Sequence, residues 1–200
     1  GASTLLEEVN EQWLDGVSIL HFPAYSFDGQ PIAHTSTKLV HAMKQRGGRV
    51  SIDASSTSVI SSFGVVSFLE LIQDLKPDIF FANQAESELL GLHTPERREI
   101  ILAAHPTTMF VLKAGPENTQ IFQAGHQVIS VTVPPIENIR DTTGAGDAFA
   151  AGFLTALLSS PDVHAACQLG HSTAATVLKS PGATSIALEQ HSPNQLKESP

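Results

Sequence analysis

Apolar residues recur along this chain in two rhythms, short runs of five or six and longer stretches at helical spacing. Residues 17–22, 49–54, 78–82 and 108–113 are short runs closed by polar, Pro or Gly residues, the pattern of buried strands. Helical stretches alternate with them. Residues 31–46 carry proline in the first turn and stop at Gly47-Gly48. Residues 64–75 place Val65, Val66, Phe68, Leu69 and Ile72 inward and end at Lys76-Pro77, and residues 95–104 form another helix. A helix capped by Ser3 or Thr4, with Glu7 or Glu8 in its first turn, is expected to present Leu5, Leu6, Val9, Trp13 and Leu14. Residues 119–124 and 127–133 read as an antiparallel pair across Gly125-His126. Two helices close the pattern, residues 145–159 and residues 163–179, the second capped by Asp162 with Ala165, Ala166, Leu169, Ala174 and Val177 along it. This alternation predicts an α/β fold, a three-layer α/β/α sandwich with a mainly parallel sheet and ligand sites at the strand carboxyl ends.

The turns carry the candidate chemistry. Asp141-Thr142-Thr143-Gly144-Ala145-Gly146-Asp147 joins a strand-like run to the helix at residues 145–159. Strand, small-residue turn and helix together aim backbone N–H groups, and the positive end of a helix dipole, at an anion. Gly144 and Gly146 let the backbone approach a bulky charged group. Asp147 then adds a carboxylate in the first helical turn, which alone would suit mere dipole complementation. Asp53 ends the run at residues 49–54 and suits either a site acid or a helix cap. Asn83-Gln84-Ala85-Glu86 follows residues 78–82 with the spacing of a capping box. Residues 23–29 form a loop at the carboxyl end of the first strand.

Composition narrows the field. The chain has 200 residues, 42% hydrophobic and 16% charged, which suits one globular domain over residues 1–200 with a polar, flexible tail at residues 190–200. A net charge of −9 argues against nucleic acid or an anionic membrane as partner. A lone cysteine, Cys167, excludes an internal disulfide and fits a reducing compartment, so cytoplasm is expected. No apolar run reaches the length of a membrane span, and neither a zinc motif nor a G-x-x-x-x-G-K-[ST] loop occurs.

Residues 141–147 resemble the C-terminal signature of the ribokinase-like (PfkB-type) carbohydrate kinases. The resemblance implies ATP-dependent phosphorylation of a sugar or sugar-like alcohol. It makes Asp147 the base and Gly144, Ala145 and Gly146 an anion hole for the transferred phosphoryl group. It matches Asn83 and Glu86 to an Asn-x-x-Glu motif that organises Mg²⁺, water and nucleotide phosphates. Lys113 and Gly115 fall in the place of a nucleotide-binding turn, with Asn118 standing where the second glycine is usual. Thr143 joins the expected nucleotide contacts, and His171 lies where relatives place a residue against adenine. Asp141 and Thr143, with carbonyls of residues 180–183, resemble a site for a monovalent cation such as K⁺. The resemblance is densest over residues 78–184, and the chain looks like the C-terminal majority of a longer kinase lacking its N-terminal substrate and lid region. A small-molecule substrate is implied, with a homodimer open as the assembly. A nucleoside kinase of the same family, or a non-catalytic ligand-binding relative, is the alternative.

Overall fold

A strand buried on both faces is largely apolar, most completely so at residues 79–82 and 109–112 among the four runs at residues 17–22, 49–54, 78–82 and 108–113. In the computed structural model, which describes residues 9–182, they form β1 (Ile19–Pro23), β2 (Arg49–Asp53), β3 (Ile79–Asn83) and β4 (Met109–Ala114). All four are parallel, with Pro23 opposite Asp53, Asp53 opposite Phe81, and Asn83 opposite Lys113. β5 (Glu117–Phe122) folds back antiparallel on β4, and β6 (Ile129–Val131) completes a sheet of order β1-β2-β3-β4-β5-β6. The helices are α1 (Ile32–Gln45), α2 (Thr57–Phe63), α3 (Val65–Leu75), α4 (Gln84–Leu90), α5 (Pro95–Ala104), α6 (Ala145–Ser159) and α7 (Val163–Leu178). Parallel pairing requires a crossover between strands, so each turn from strand to helix falls at the same edge of the sheet. That edge collects Asp53, Asn83 and Lys113.

The chain divides into two compact units, Gly1–Ser130 and Val131–Pro200. In the first unit, aromatic rings form a continuous packing series. Phe63 meets Phe68 at 5.7 Å between centroids, Phe68 meets Phe80 at 6.2 Å, and Phe80 meets Phe110 at 5.5 Å. Phe68, Phe80 and Phe110 are buried, so this series ties α3 to β3 and β4. In the second unit, α6 and α7 touch backbone to backbone. A Cβ on Gly152 would lie 2.5 Å from Thr173 Oγ1 and 2.7 Å from the Leu169 carbonyl oxygen. One on Gly170 would lie 2.9 Å from the Phe149 ring. Only glycine fits where the two helices approach so closely.

Several expectations change. Ser3, Thr4, Leu5, Leu6, Glu7 and Glu8 lie outside the described residues. The described part of that segment is a 3-10 turn, Glu11–Leu14, capped by Asn10, whose side chain accepts the Gln12 N–H at 2.9 Å. With three residues per turn it buries Leu14 and leaves Trp13 67% exposed. Val66 is 70% exposed because α3 turns Phe68, Ile72 and Leu75 inward at helical spacing. Leu169 is also exposed, beside the buried stripe of Ala166, Gly170, His171, Ala174 and Val177. α2 was not anticipated. Its Ser-rich sequence lacks an apolar period, and it forms because Ser56 caps it, Oγ accepting the Val59 N–H at 3.3 Å, while Ile60 is buried.

The hairpin also differs from expectation. Ala114 pairs with Glu117, so a two-residue turn at Gly115-Pro116 sends β5 back along β4. Asn118 is therefore a strand residue, its Nδ2 donating to Ser130 Oγ at 3.1 Å, and not part of a left-handed turn. The tail at residues 190–200 lies outside the described residues. Among the described residues no single helix is long and apolar enough to cross a membrane.

The α6–α7 contact makes a direct prediction. Gly152→Ala and Gly170→Ala should each lower stability by about 1–3 kcal/mol, the usual cost of overpacking. Thermal denaturation of each variant checks this; an unchanged melting temperature would show that the helices separate freely.

Candidate active site

Three neighbouring strands carry polar residues at or next to their carboxyl ends, Asp53 on β2, Asn83 on β3 and Lys113 on β4. Their register and the two-residue period of a strand put Asp53, Phe81, Asn83 and Lys113 on one face. The Lys113 ammonium donates to Asp53 Oδ2 at 2.7 Å and lies 5.6 Å from the Phe81 ring centre. Both side chains are mostly enclosed, 15% and 11% exposed. Asp53 is fixed from behind as well, its Oδ1 accepting the Ser55 N–H at 2.9 Å. Ser55 has φ of 69°, a left-handed conformation rare for a residue with a Cβ. Its hydroxyl compensates by accepting the Ala24 N–H at 2.9 Å and donating to the Asp53 carbonyl at 3.0 Å.

Asn83 begins α4 with a complete capping box. Its side-chain oxygen accepts the Glu86 N–H at 3.0 Å, and its own N–H donates to Glu86 Oε2 at 2.7 Å. Its Nδ2 donates to Glu86 Oε1, also at 2.7 Å. Glu86 is thereby held by both oxygens while only 1% exposed. Burial pushes its carboxyl above the usual carboxylate range. The Asn83 N–H opposes that shift, the Asp53 charge adds to it, and the Lys113 charge again opposes it. Asn83 itself is exposed at the strand end, with the Glu86 carboxylate buried behind its amide.

In the second unit, Gly144 caps α6 in the left-handed conformation, φ 77° and ψ −1°, which costs glycine nothing. The Ala145 N–H donates to the Thr142 carbonyl at 3.2 Å, and the Ala148 N–H to the Gly144 carbonyl at 2.9 Å. Gly146 and Asp147 occupy the second and third helical positions, whose N–H groups have no intrahelical acceptor. They point along the positive end of a 15-residue helix, with the exposed Asp147 carboxylate in the same turn. Asp141 braces the approach to this turn. Its Oδ1 accepts the Thr143 N–H at 2.8 Å and its Oδ2 the Gly182 N–H at 3.0 Å. The Thr143 N–H, then the Thr143 hydroxyl and the Gly182 N–H, hold the Asp141 carboxyl below its ordinary value.

The first unit thus brings together Asn83, Glu86 and Lys113, and adds Asp53 and Ser55 to them. The second brings together Asp141, Thr143, Gly144, Gly146 and Asp147. Ala145 belongs to that turn, but its N–H is engaged by Thr142. Gly115 sits in the tight β4–β5 turn with φ of 59°. His171 is 6% exposed on α7, its ring 5.2 Å from that of Phe149, and burial lowers its pKa. It belongs to the packing of α6 on α7. Of the turn expected at residues 180–183, Gly182 offers an N–H to Asp141, and Ala183 lies outside the described residues. The pairing of Asp53 with Lys113 had no signal in the sequence, since it depends on the register of β2 and β4 against β3. Ser55 had none, because nothing in a Ser-Ser-Thr run marks a left-handed residue.

Among the described residues no group of three or more His, Cys, Asp or Glu side chains could hold a metal ion. The donors present still fit Mg²⁺. That ion favours oxygen, keeps several waters and shares its sphere with phosphates, needing one or two protein groups. Asn83 and Glu86 offer such oxygens, with the carboxylate buried behind the amide. They suit a role through water or phosphate, not a direct cage.

Comparison with known proteins bears on the family and the fold. The model for pfkB family carbohydrate kinases matches residues 2–190. That corrects the placement of the resemblance on the C-terminal majority, because the match takes in the N-terminal part of the chain too. The 2-dehydro-3-deoxygluconokinase of Escherichia coli K12 is 37% identical over 110 residues, covering 53% of this chain and 35% of that protein. An adenosine kinase structure from Sinorhizobium meliloti superposes with a TM-score of 0.83 at 22% identity, covering 96% of this chain and 59% of that one. A fructokinase structure from Vibrio cholerae O395, bound to fructose, ADP and calcium ion, gives 0.76 at 21% identity, covering 91% and 60%. At such identities the two structures establish a shared ribokinase-like fold. The chain spans 35–53% of the length of the curated relatives it matches. With a family match running from residue 2 to residue 190, the chain belongs to the pfkB family of carbohydrate kinases.

Proposed function

We propose that the protein containing this chain transfers the terminal phosphoryl group of ATP to a hydroxyl of a sugar or sugar-like alcohol. The observation that carries the reading is the start of α6, where free N–H groups of Gly146 and Asp147 stand beside the Asp147 carboxylate. Phosphoryl transfer asks for little more than a positioned acceptor, an anion cradle and charge neutralisation. Asp147 takes the acceptor's proton, its carboxylate held in place by the helix backbone. The Gly146 and Asp147 N–H groups, opened to the ligand by the left-handed Gly144, stabilise charge on the phosphoryl oxygens. Thr143 helps line the same turn, held by Asp141. Asn83, backed by Glu86, orients water and phosphate at the end of β3. Mg²⁺ bound with the nucleotide would supply charge neutralisation between the phosphates. Gly115 leaves the β4–β5 turn open, since a Cβ there would meet nothing within 4 Å.

A nucleoside acceptor is the second reading, supported by the likeness to an adenosine kinase structure. Assaying ATP consumption with sugars and with nucleosides separates the two. A cytoplasmic, ATP-rich setting belongs to the same proposal, as does a homodimer.

Three outcomes follow. Asp147→Asn keeps the size of the side chain and removes the proton acceptor, so turnover should fall by ~10²–10⁴. Loss of a dipole-complementing charge alone would cost only ~0.3–1 kcal/mol of stability and leave activity intact. Turnover, nucleotide affinity and melting temperature measured on one preparation distinguish these. An active variant would remove Asp147 from the role of base.

Glu86→Gln places a donor where Glu86 now accepts from Asn83, which should cost ~1–3 kcal/mol of stability. The Mg²⁺ concentration giving half-maximal turnover should rise in the same variant. If it stays at the wild-type value, Glu86 serves only to cap α4.

The third concerns potassium. A monovalent cation beside Asp141 would brace the turn before α6 by fixing backbone dipoles. Turnover in potassium should then exceed turnover in tetramethylammonium at equal ionic strength; equal rates would dismiss the cation.

A further inference from the structure

Lys113 stands where the family resemblance puts a nucleotide contact, yet its ammonium is directed elsewhere. In the sheet order, β5 lies on one side of β4, while β3 and then β2 lie on the other. The Gly115-Pro116 turn leads towards β5. The Lys113 side chain runs the opposite way, past Phe81 on β3, to meet Asp53 on β2 at 2.7 Å. It crosses the end of β3 on the face that also carries Asn83, its partner in register. The pair therefore spans three strand ends close to the residue that caps α4.

The charges give this bridge a reason. Asp53 at the end of β2 and Glu86 in the first turn of α4 are buried acids, 8% and 1% exposed. Each acts on the other as a like charge, and Lys113 is the cation that offsets both. A buried carboxylate stripped of its counter-charge is strongly unfavourable. Asp53 is well suited to receive the ammonium, because the Ser55 N–H holds its Oδ1 from behind and the Ala24 N–H in turn holds the Ser55 hydroxyl.

We infer that Lys113 is a positioning residue, which keeps the Asn83–Glu86 cap in place by neutralising the Asp53 charge beside it, and is not a ligand of the nucleotide. The inference rests on the proposed kinase function only where it speaks of nucleotide; the coupling of Lys113 to Asp53 stands without it.

A double-mutant cycle on the purified protein tests it, using Lys113→Met, Asp53→Asn and the two combined. The readouts are melting temperature and affinity for Mg-ATP by calorimetry. Each single change leaves one buried charge alone and should lower the melting temperature by about 6–15 °C. Each should also weaken Mg-ATP roughly tenfold, a loss of about 1.4 kcal/mol, by letting the cap shift. The double variant removes the two opposite charges beside Glu86 together, and should regain most of the melting temperature and an affinity within about threefold of wild type. If Lys113→Met fails to fold, Asp53→Asn and the double variant still make the comparison. A double variant that regains stability but stays tenfold weak in affinity would mean that Lys113 touches the nucleotide. Affinity unmoved in every folded variant would reduce the pair to a structural tie, and a double variant that regains no stability would deny the coupling. Each of these overturns the inference. Wild-type protein that binds no Mg-ATP would instead sink the proposed function, and the melting temperatures alone would then decide the coupling.

Discussion

The parallel sheet is the constraint from which the rest follows. Because β1 to β4 all run the same way, every turn from strand to helix lies at one edge, and backbone groups there have no further strand to satisfy them. In the first unit the chain answers with polar side chains. Asn83 caps α4, Asp53 ties the loop after β2, and Lys113 links β4 to β2. Each of these contacts is structural in origin. Together they leave an exposed amide, a carboxylate held behind it and a balanced ion pair on one face, which is the raw material of a site for phosphate and metal.

Charge sets the second constraint. With 20 acidic residues against 11 basic ones, this chain has few cations to offer a polyanion. Backbone dipoles supply what side chains do not. α6 presents its positive end through a left-handed glycine, and in the proposed reaction the Asp147 carboxylate at the third position receives the acceptor's proton. Asp141 secures the preceding turn by accepting two backbone N–H groups. The second unit is held together by glycines at the α6–α7 contact and by the buried Phe149–His171 pair.

Much of this was legible in the sequence where a single residue determines local geometry. Pro95 starts α5 and Gly144 precedes α6, so both helices begin and end where their patterns predict, at residues 95–104 and 145–159. The Asn83–Glu86 cap was legible for the same reason, since its hydrogen bonds join residues three apart. What depended on distant partners was not. The destination of Lys113 requires the register of β2 and β4 against β3, which no local pattern contains. His171 was placed on the right helix, but its burial follows from how Gly152 and Gly170 bring α6 onto α7. Asn118 was read as part of an open turn, and the pairing of Ala114 with Glu117 closes the hairpin before reaching it. Trp13 and Val66 were assigned inward because apolar character was taken for burial, whereas a helix of this size has one inward face.

The central claim is that the amino-terminal turn of α6 cradles the transferred phosphoryl group. A crystal structure of the protein with Mg²⁺ and a non-hydrolysable ATP analogue addresses it most directly. The account predicts terminal phosphate oxygens within hydrogen-bond distance, ~2.7–3.2 Å, of the Gly146 and Asp147 nitrogens. A nucleotide bound with its terminal phosphate away from that turn would contradict the account.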